Sequence, residues 1–305
     1  MDIGLQKHIN YYLAMQNSRI ANEWDLVIKG STSLFDLRFK DLWNYRDLLF
    51  MFVKRDFVSF YKQTILGPLW FFIQPIFTTL VFTFIFGNLA GISTDGLPQQ
   101  LFYLAGIISW NYFSDCLTKT STVFKDNAAI FGKVYFPRLI MPLSIVVSNL
   151  VRFGVQMLLF LLMMMYFYFF PQTNATFHLT YAVLSVPFLV VLMALLGLGI
   201  GLIITAMTTK YKDLTFLVTF GVQLLMYGTT VIYPLSEAKK KFGGMSKLIE
   251  YNPMTGIIEA FRYSFLGKGA FSLWSIGYSS IITVLILFFG ILLFNKTEKN
   301  FVDTI

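Results

Sequence analysis

Apolar and polar positions along this chain fall into long blocks, and the blocks define the elements. A helical crossing of about 30 Å of hydrocarbon needs roughly 20 mostly apolar residues. Such stretches lie at about 66–88, 101–121, 142–170, 180–207, 213–234 and 272–294. The third exceeds one crossing, which leaves room for tilt or a surface-lying start. The expected fold class is all-α integral membrane with six transmembrane helices. Residues 1–40 form a cytoplasmic N-terminal segment, 41–65 an amphipathic interface helix, 66–294 the six-span domain and 295–305 a cytoplasmic tail.

Between the blocks the periodicity changes character. Leu42, Tyr45, Leu49, Phe52 and Phe60 recur at steps of three, four or their multiples, while Lys40, Asn44, Asp47 and Lys54 take other faces. That pattern predicts an amphipathic helix along the inner membrane surface. Gly67-Pro68 then turns the chain upright, because a proline in a first helical turn gives up a hydrogen bond that had no partner. Gln74 and Pro75 lie deeper, where proline frees a carbonyl and kinks the helix and an amide needs a partner. Two readings stay open for them, a helix–helix contact or the border of a polar passage. In the connection 235–271, Asn252-Pro253 starts a helix carrying Ile257, Ile258, Phe261 and Phe265 on one face, and Gly267 ends it. A short amphipathic helix dipping back into the outer interface is expected there.

Composition agrees with this pattern. The 305 residues are 56% hydrophobic and 13% charged, with a mean hydropathy of +0.65, outside the range of ordinary soluble domains. The first thirty residues have no apolar core followed by a small-residue cleavage site, so no cleaved signal peptide is expected and the first span starts translocation. Charge sets the orientation. Lysines and arginines collect before the first span, at the second-to-third connection (Lys119, Lys125, Lys133, Arg138), at Lys210 and Lys212, and at Lys296 and Lys299. The connections 89–100 and 171–179 have none, which places both termini in the cytoplasm. The exception is 235–271, with Lys239, Lys240, Lys241, Lys247, Arg262 and Lys268 on the outer side.

Candidate chemistry is sparse. A single cysteine, Cys116, rules out an intrachain disulfide, and His8 and His178 are too far apart in sequence to suggest a metal or acid–base centre. No Gly-x-x-x-x-Gly-Lys-Ser/Thr run and no Asp-x-Asp pair occurs, and no basic tract with stacking aromatics points to nucleic acid. The sequon at Asn174 carries little weight. Gly197, Gly199 and Gly201 supply a small-residue face for close helix packing. Asp115 and Lys119 sit four apart, at ion-pair spacing. Arg152 lies inside the third span and needs an acid or carbonyls, with Asp115 as the proposed partner.

Several motifs in fixed order add a further reading. "YRDLLFMFVKRDFVSFYKQTILGPLWFFIQP", "KVYFPRLIMP", "KYKDL", "VIYP" and "NPMTGIIEAFRYSFLG", together covering about residues 40–295, resemble the permease subunits of ABC exporters for lipid-linked polysaccharides such as O-antigen, capsule and teichoic acid. The resemblance implies a dimer of this chain with two copies of a separate cytoplasmic ATPase, which holds the ATP and Mg; no cofactor is expected on this chain. It implies that the entry segment, with Arg46, Lys54 and Arg55, meets the ATPase. A coupling helix in the loop 122–141, with Lys125, Lys133, Phe136, Pro137 and Arg138, does the same. Lys210, Tyr211, Lys212 and Asp213 match the family's short inner turn, and 236–270 its external re-entrant gate helices, with Asn252, Pro253 and Arg262 in register; Tyr233, in "VIYP", is a further channel or gate candidate. Phe60 stands where a basic residue is common, and Thr230 replaces a proline before "VIYP".

A polyprenyl-pyrophosphate-linked glycan is too long for one alternating pocket, so a continuous channel with many weak contacts is expected. Trp70, Phe71, Gln74, Pro75, Phe77, Tyr112 and Tyr227 are candidates for its lining, since aromatic faces stack on sugars with little directional demand. The outer lysines would attract pyrophosphate or anionic lipid heads. The expected location is the bacterial inner membrane. Rival readings are an ABC exporter for another lipid or a drug, a polyprenyl-linked glycan transferase, which needs a catalytic carboxylate or histidine cluster, and a secondary transporter with paired broken helices.

Overall fold

The computed structural model describes residues 39–62, 64–134, 136–170, 177–211 and 213–301. The expected N-terminal segment before Phe39, Lys212 and the Asn174–Thr176 sequon lie outside these. The described residues are helical, with no strand among them. Four helical stretches are long and apolar enough to cross a membrane: Gly67–Leu89, Ile140–Phe169, Tyr181–Thr208 and Leu273–Thr297.

The chain enters through α1 (Phe39–Asn44) and α2 (Arg46–Tyr61), separated at Tyr45. The single surface helix expected over 41–65 is thus two. Leu42, Tyr45, Leu49 and Phe52 pack onto the protein itself, whereas Trp43, Phe50, Met51, Phe57 and Val58 are exposed. At the corner Gly67 takes φ +47°, a left-handed conformation that costs glycine little. A 3₁₀ turn over Gly67–Leu69 leads into α3 (Trp70–Phe82). The helix continues through Pro75. Proline this close to the helix start strips a partner from only one carbonyl, and the irregular stretch comes later, as a π-helix over Thr83–Leu89. Phe71, Pro75, Thr79, Thr83 and Gly87 repeat every four residues and form the buried face of this helix.

The centre of the fold is α4 (Gln99–Ser121), which packs against α3, α7 (Ile140–Phe169) and α8 (Val186–Thr208). It has the length of the expected second span but is not among the four apolar ones. Its residues from Leu101 to Trp110 are all buried, Tyr103 and Ser109 included. A helix enclosed by other helices has no open face that must be apolar. Between α4 and α7 lie two short helices, α5 (Val123–Asp126) and α6 (Ala128–Phe131).

Close approach at α8 depends on the glycines of "GLGIG". A Cβ on Gly197 would stand 2.7 Å from the Phe113 carbonyl oxygen, and one on Gly201 would stand 2.6 Å from Thr120 Cβ, so both press against α4. Gly199 turns the other way, where its Cβ would stand 2.9 Å from Leu287 Cα in α13 (Leu273–Phe301). Thr205 and Thr208 add hydroxyl bonds to the Thr120 and Ser121 carbonyls at 2.5 Å each. The last helix runs seven residues past the expected end of the sixth span, through Phe301.

The fifth expected span is helical over α9 (Leu214–Tyr227) and then leaves the helix. Fourteen residues of helix reach about 21 Å. Beyond it come α10 (Leu235–Phe242), α11 (Ser246–Glu250) and α12 (Pro253–Leu266). The ends of α12 are as expected. Asn252 Oδ1 accepts from the Met254 N–H at 3.0 Å, and Gly267 closes the helix at φ +69°. Its surroundings are not as expected, because α12 packs against α4, α8 and α13 and is buried on nearly every side. The polar face that should have pointed to water is instead satisfied internally.

Candidate functional site

Two polar clusters lie at opposite ends of α4. The first is centred on Arg262, whose side chain is 1% exposed. Its Nε donates to the Phe102 carbonyl at 3.3 Å, and its terminal nitrogens donate to the Thr230 carbonyl and, at 2.8 Å, to the Val231 carbonyl. The guanidinium also lies 3.6 Å from the centre of the Phe102 ring. Glu259, one turn earlier, accepts from Arg262 at 3.4 Å through one carboxylate oxygen. Its other oxygen accepts the Ala270 N–H at 2.9 Å. Gly106 makes room for this arrangement: a Cβ there would stand 2.5 Å from the guanidinium. A buried charge is tolerated only when paired and hydrogen-bonded, and here both members are.

Arg262 explains why the chain stops being helical after Tyr227. The carbonyls of Thr230 and Val231 accept from its guanidinium instead of from a next helical turn. The same turn is tied twice more, by Asn252 Nδ2 to the Gly228 carbonyl at 3.2 Å and by the Tyr233 hydroxyl to the Tyr227 carbonyl at 2.6 Å. Thr229 to Ile232 are consequently buried.

The second cluster lies where α2, α3, α4 and α7 meet. Arg152 donates to Asp115 at 2.7 Å and covers the Phe71 ring at 4.9 Å. Lys119 donates to Asn149 Oδ1 at 2.8 Å. Arg55 and Asp56 pair at 2.8 Å, and the Ser148 hydroxyl donates to Asp56 at 3.4 Å, joining α2 to α7.

Below this cluster α2 meets the connection that contains α5 and α6. Phe52 and Phe136 have ring centres 5.7 Å apart, Phe131 stacks on Phe136, and Phe124 stacks on Phe294 of α13 at 4.8 Å. Phe136 is therefore interior, and Pro137 is half-buried beside it. Arg55 and Arg138 lie over the rings of Phe52 and Phe131 at 4.9 and 5.6 Å. Arg46 lies over Trp43, while Lys54, Lys125 and Lys133 are exposed. Two segments some seventy residues apart in sequence thus form one aromatic platform with a basic rim.

The aromatic residues expected along a passage divide. Trp70, Gln74, Phe77 and Tyr227 are exposed, Phe77 at 63%. Phe71 and Tyr112 are interior, the first under Arg152 and the second 5.1 Å from the ring of Phe153. Pro75 is also buried, and Pro253 is half-buried at the start of α12.

A family model described as ABC-2 type transporter matches residues 47–266, which hold both clusters and most of the platform. The chain belongs to that family. Among curated proteins, the ABC-2 chain is similar to an O-antigen export system permease protein, RfbA, of Myxococcus xanthus. The two are 25% identical over 267 residues, covering 87% of this chain and 98% of that protein. An RfbA of Klebsiella pneumoniae is likewise 25% identical over 257 residues, 84% and 94% of the two chains. The polysialic acid transport protein KpsM of Escherichia coli is 23% identical over 244 residues, 77% and 87%. The ABC-2 membrane domain also contains residues that sequence reasoning passed over: Glu259, Gly106, Asn149 and Asp56. For Glu259 a signal existed, since it precedes Arg262 at the i,i+3 spacing of an ion pair. For the other three no local pattern marks them.

Proposed function

We propose that this protein is the channel-forming permease of an ABC exporter that moves a lipid-linked polysaccharide across the bacterial inner membrane. The observation that carries this reading is the near full-length correspondence to permeases named for O-antigen export, 98% of the length of one of them. Two copies of the chain enclose the path, and two copies of a separate ATPase, which bind the ATP and Mg, drive it.

In this reading the chain crosses six times, with both termini cytoplasmic. The polar α4 crosses inside the bundle, and α9 with the buried turn after it completes the fifth crossing. The segments 235–271 form the external gate, with Arg262, Asn252 and Tyr233 holding the turn at 228–234. The platform of α2 with α5 and α6 takes the push of the ATPase. Phe52 and Phe136 pass that push between two elements, and the Asp56–Ser148 bond passes it on to α7. The exposed faces of Trp70, Gln74, Phe77 and Tyr227 border the glycan path, where many weak contacts allow sliding.

The test is co-purification of the chain with the ATPase encoded beside it, together with surface glycan measured in a strain lacking the chain. Retained ATPase and lost surface polysaccharide are expected. A strain that keeps its surface glycan but loses resistance to an amphiphilic drug moves the protein to another class of ABC exporter. Within the complex, Arg138→Glu is expected to leave ATP hydrolysis running while export falls to background. Export that stays in proportion to hydrolysis would remove the platform from the coupling path.

A further inference from the structure

Between α2 and α7 lies a half-open cleft of about 390 Å³, backed by the end of α4 and the start of α3. Its walls are apolar, formed by Val53, Phe57, Phe71, Ile145 and Val151. Its floor is polar, with Lys119 and Asn149 beside Asp56, Ser148 and Arg152. The charges around it are unevenly matched. Asp115 is taken by Arg152 and Asp56 by Arg55, whereas Lys119 donates to a neutral amide, Asn149 Oδ1. An ammonium has three donors, and among the described residues this one has no acid within ion-pair distance. Asn149 is 2% exposed, and its Nδ2 has no hydrogen-bond partner among the described residues. A buried donor left unpaired costs about 1–3 kcal/mol, and this one is closed to the cleft, so the Asn149 amide serves the floor through its Oδ1, which holds the Lys119 ammonium in place.

An apolar slot above a cation that no acid pairs among the described residues fits an amphiphile with an anionic head. Basic pockets between membrane helices take lipid phosphates by this chemistry. We propose that the α2–α7 cleft binds the phosphate of a resident anionic phospholipid, with Lys119, positioned by Asn149 Oδ1, as the donor and the acyl glycerol portion between Phe57 and Phe71. The lipid then fills the gap beside the Asp56–Ser148 contact and braces α2 against the bundle. This site does not depend on what the protein exports.

Binding is measured on the purified full-length chain in detergent, by native mass spectrometry and thermal unfolding, with dioleoyl phosphatidylglycerol, dioleoyl phosphatidylcholine and inorganic pyrophosphate as probes. One phosphatidylglycerol per chain is expected to be retained and to raise the unfolding temperature, with phosphatidylcholine bound about tenfold more weakly. Lys119→Gln removes the cation. Ser59→Trp blocks the cleft from the α2 side while leaving every donor in place, so it serves where the first variant folds poorly. Each is expected to weaken retention about tenfold or more. Equal retention by both variants, or no preference for phosphatidylglycerol, overturns the proposal. Displacement of phosphatidylglycerol by micromolar pyrophosphate also overturns it, by assigning the site to a pyrophosphate-linked lipid. Loss of glycan export in cells bears only on the transport reading and leaves this outcome unaffected.

Discussion

Arg152 and Arg262 sit at opposite ends of α4, and the fold holds them in opposite ways. The α4 groups they touch, Asp115 and the Phe102 carbonyl, are thirteen residues apart, about 20 Å along the helix. Arg262 is sealed, with Glu259 and three carbonyls from two other elements around it and a glycine cut out to admit it. Arg152 keeps 21% of its side chain exposed and faces an open cleft. A sealed charge with all three nitrogens engaged cannot change partner without unfolding its surroundings. A partly exposed one beside a cavity can. The end of α4 that meets Arg262 is therefore welded through its arginine, and the end beside α2 is joined through contacts that can be exchanged.

The sharpest way to break this contrast is to remove the weld. Arg262→Met leaves Glu259 buried without its cation and the Thr230 and Val231 carbonyls without donors. Stranding one member of a buried pair costs about 3–5 kcal/mol, a large share of the stability of most proteins. The expected result is loss of monodisperse protein after detergent extraction and, for any that survives, a strongly lowered unfolding temperature. Glu259→Gln keeps a carbonyl for the Ala270 N–H and is expected to cost less. Wild-type stability in Arg262→Met would show that the guanidinium does not hold the turn after α9.

The platform end should respond less. Arg152→Gln loses a pair at 2.7 Å, but Asp115 keeps 30% of its side chain exposed, so water can solvate it. The expected cost lies between the value of an exposed pair, under about 1 kcal/mol, and that of a buried one. The swap of Arg152→Asp with Asp115→Arg sharpens the comparison. The double variant is expected to recover much of what each single change loses in unfolding temperature and in export. Failure of the double to recover anything would show that the two groups act through other partners. The analogous swap at Glu259 and Arg262 should fail, since Gly106 and the three carbonyls are arranged for one orientation only.

How much of this was legible in the sequence follows the same division. The helices α7, α8 and α13 are long, mostly apolar runs whose spans are legible to within a few residues, apart from the extension of α13 and the 3₁₀ turn over Tyr181–Ser185 that precedes α8. Pro68, Asn252 and Gly267 marked helix ends through local stereochemistry, which needs no knowledge of the fold. The character of α4 was not legible, because periodicity cannot tell a helix facing lipid from one enclosed by protein. Arg262 reads from the sequence as an outer charge that breaks the orientation rule and, by resemblance, as a gate residue, but its burial depends on carbonyls more than thirty residues away in sequence. The cleft has no local signature at all, since α2 and α7 form it across about ninety residues of intervening chain. Asp115 and Arg152 could be matched in advance only because charges are so few in this chain that an intramembrane arginine has a short list of acids.

The smallest expected effect tests how far the weld extends. The Tyr233 hydroxyl bonds the Tyr227 carbonyl across the same turn that Arg262 holds, but Tyr233 is only half-buried. Tyr233→Phe removes one neutral hydrogen bond and keeps the ring, which packs 6.3 Å from that of Phe242. The exposed Tyr227 side lets water take over the carbonyl, so the loss should be about 0.5–1.5 kcal/mol, read as a small drop in unfolding temperature with oligomeric state unchanged. If Tyr233→Phe proves as damaging as Arg262→Met, the turn is held from its open side and the guanidinium only fills the space beneath it. If it has the small effect expected, the order of the two losses places the stabilisation of the turn at 228–234 in the buried cation, with the hydroxyl as an outer tie.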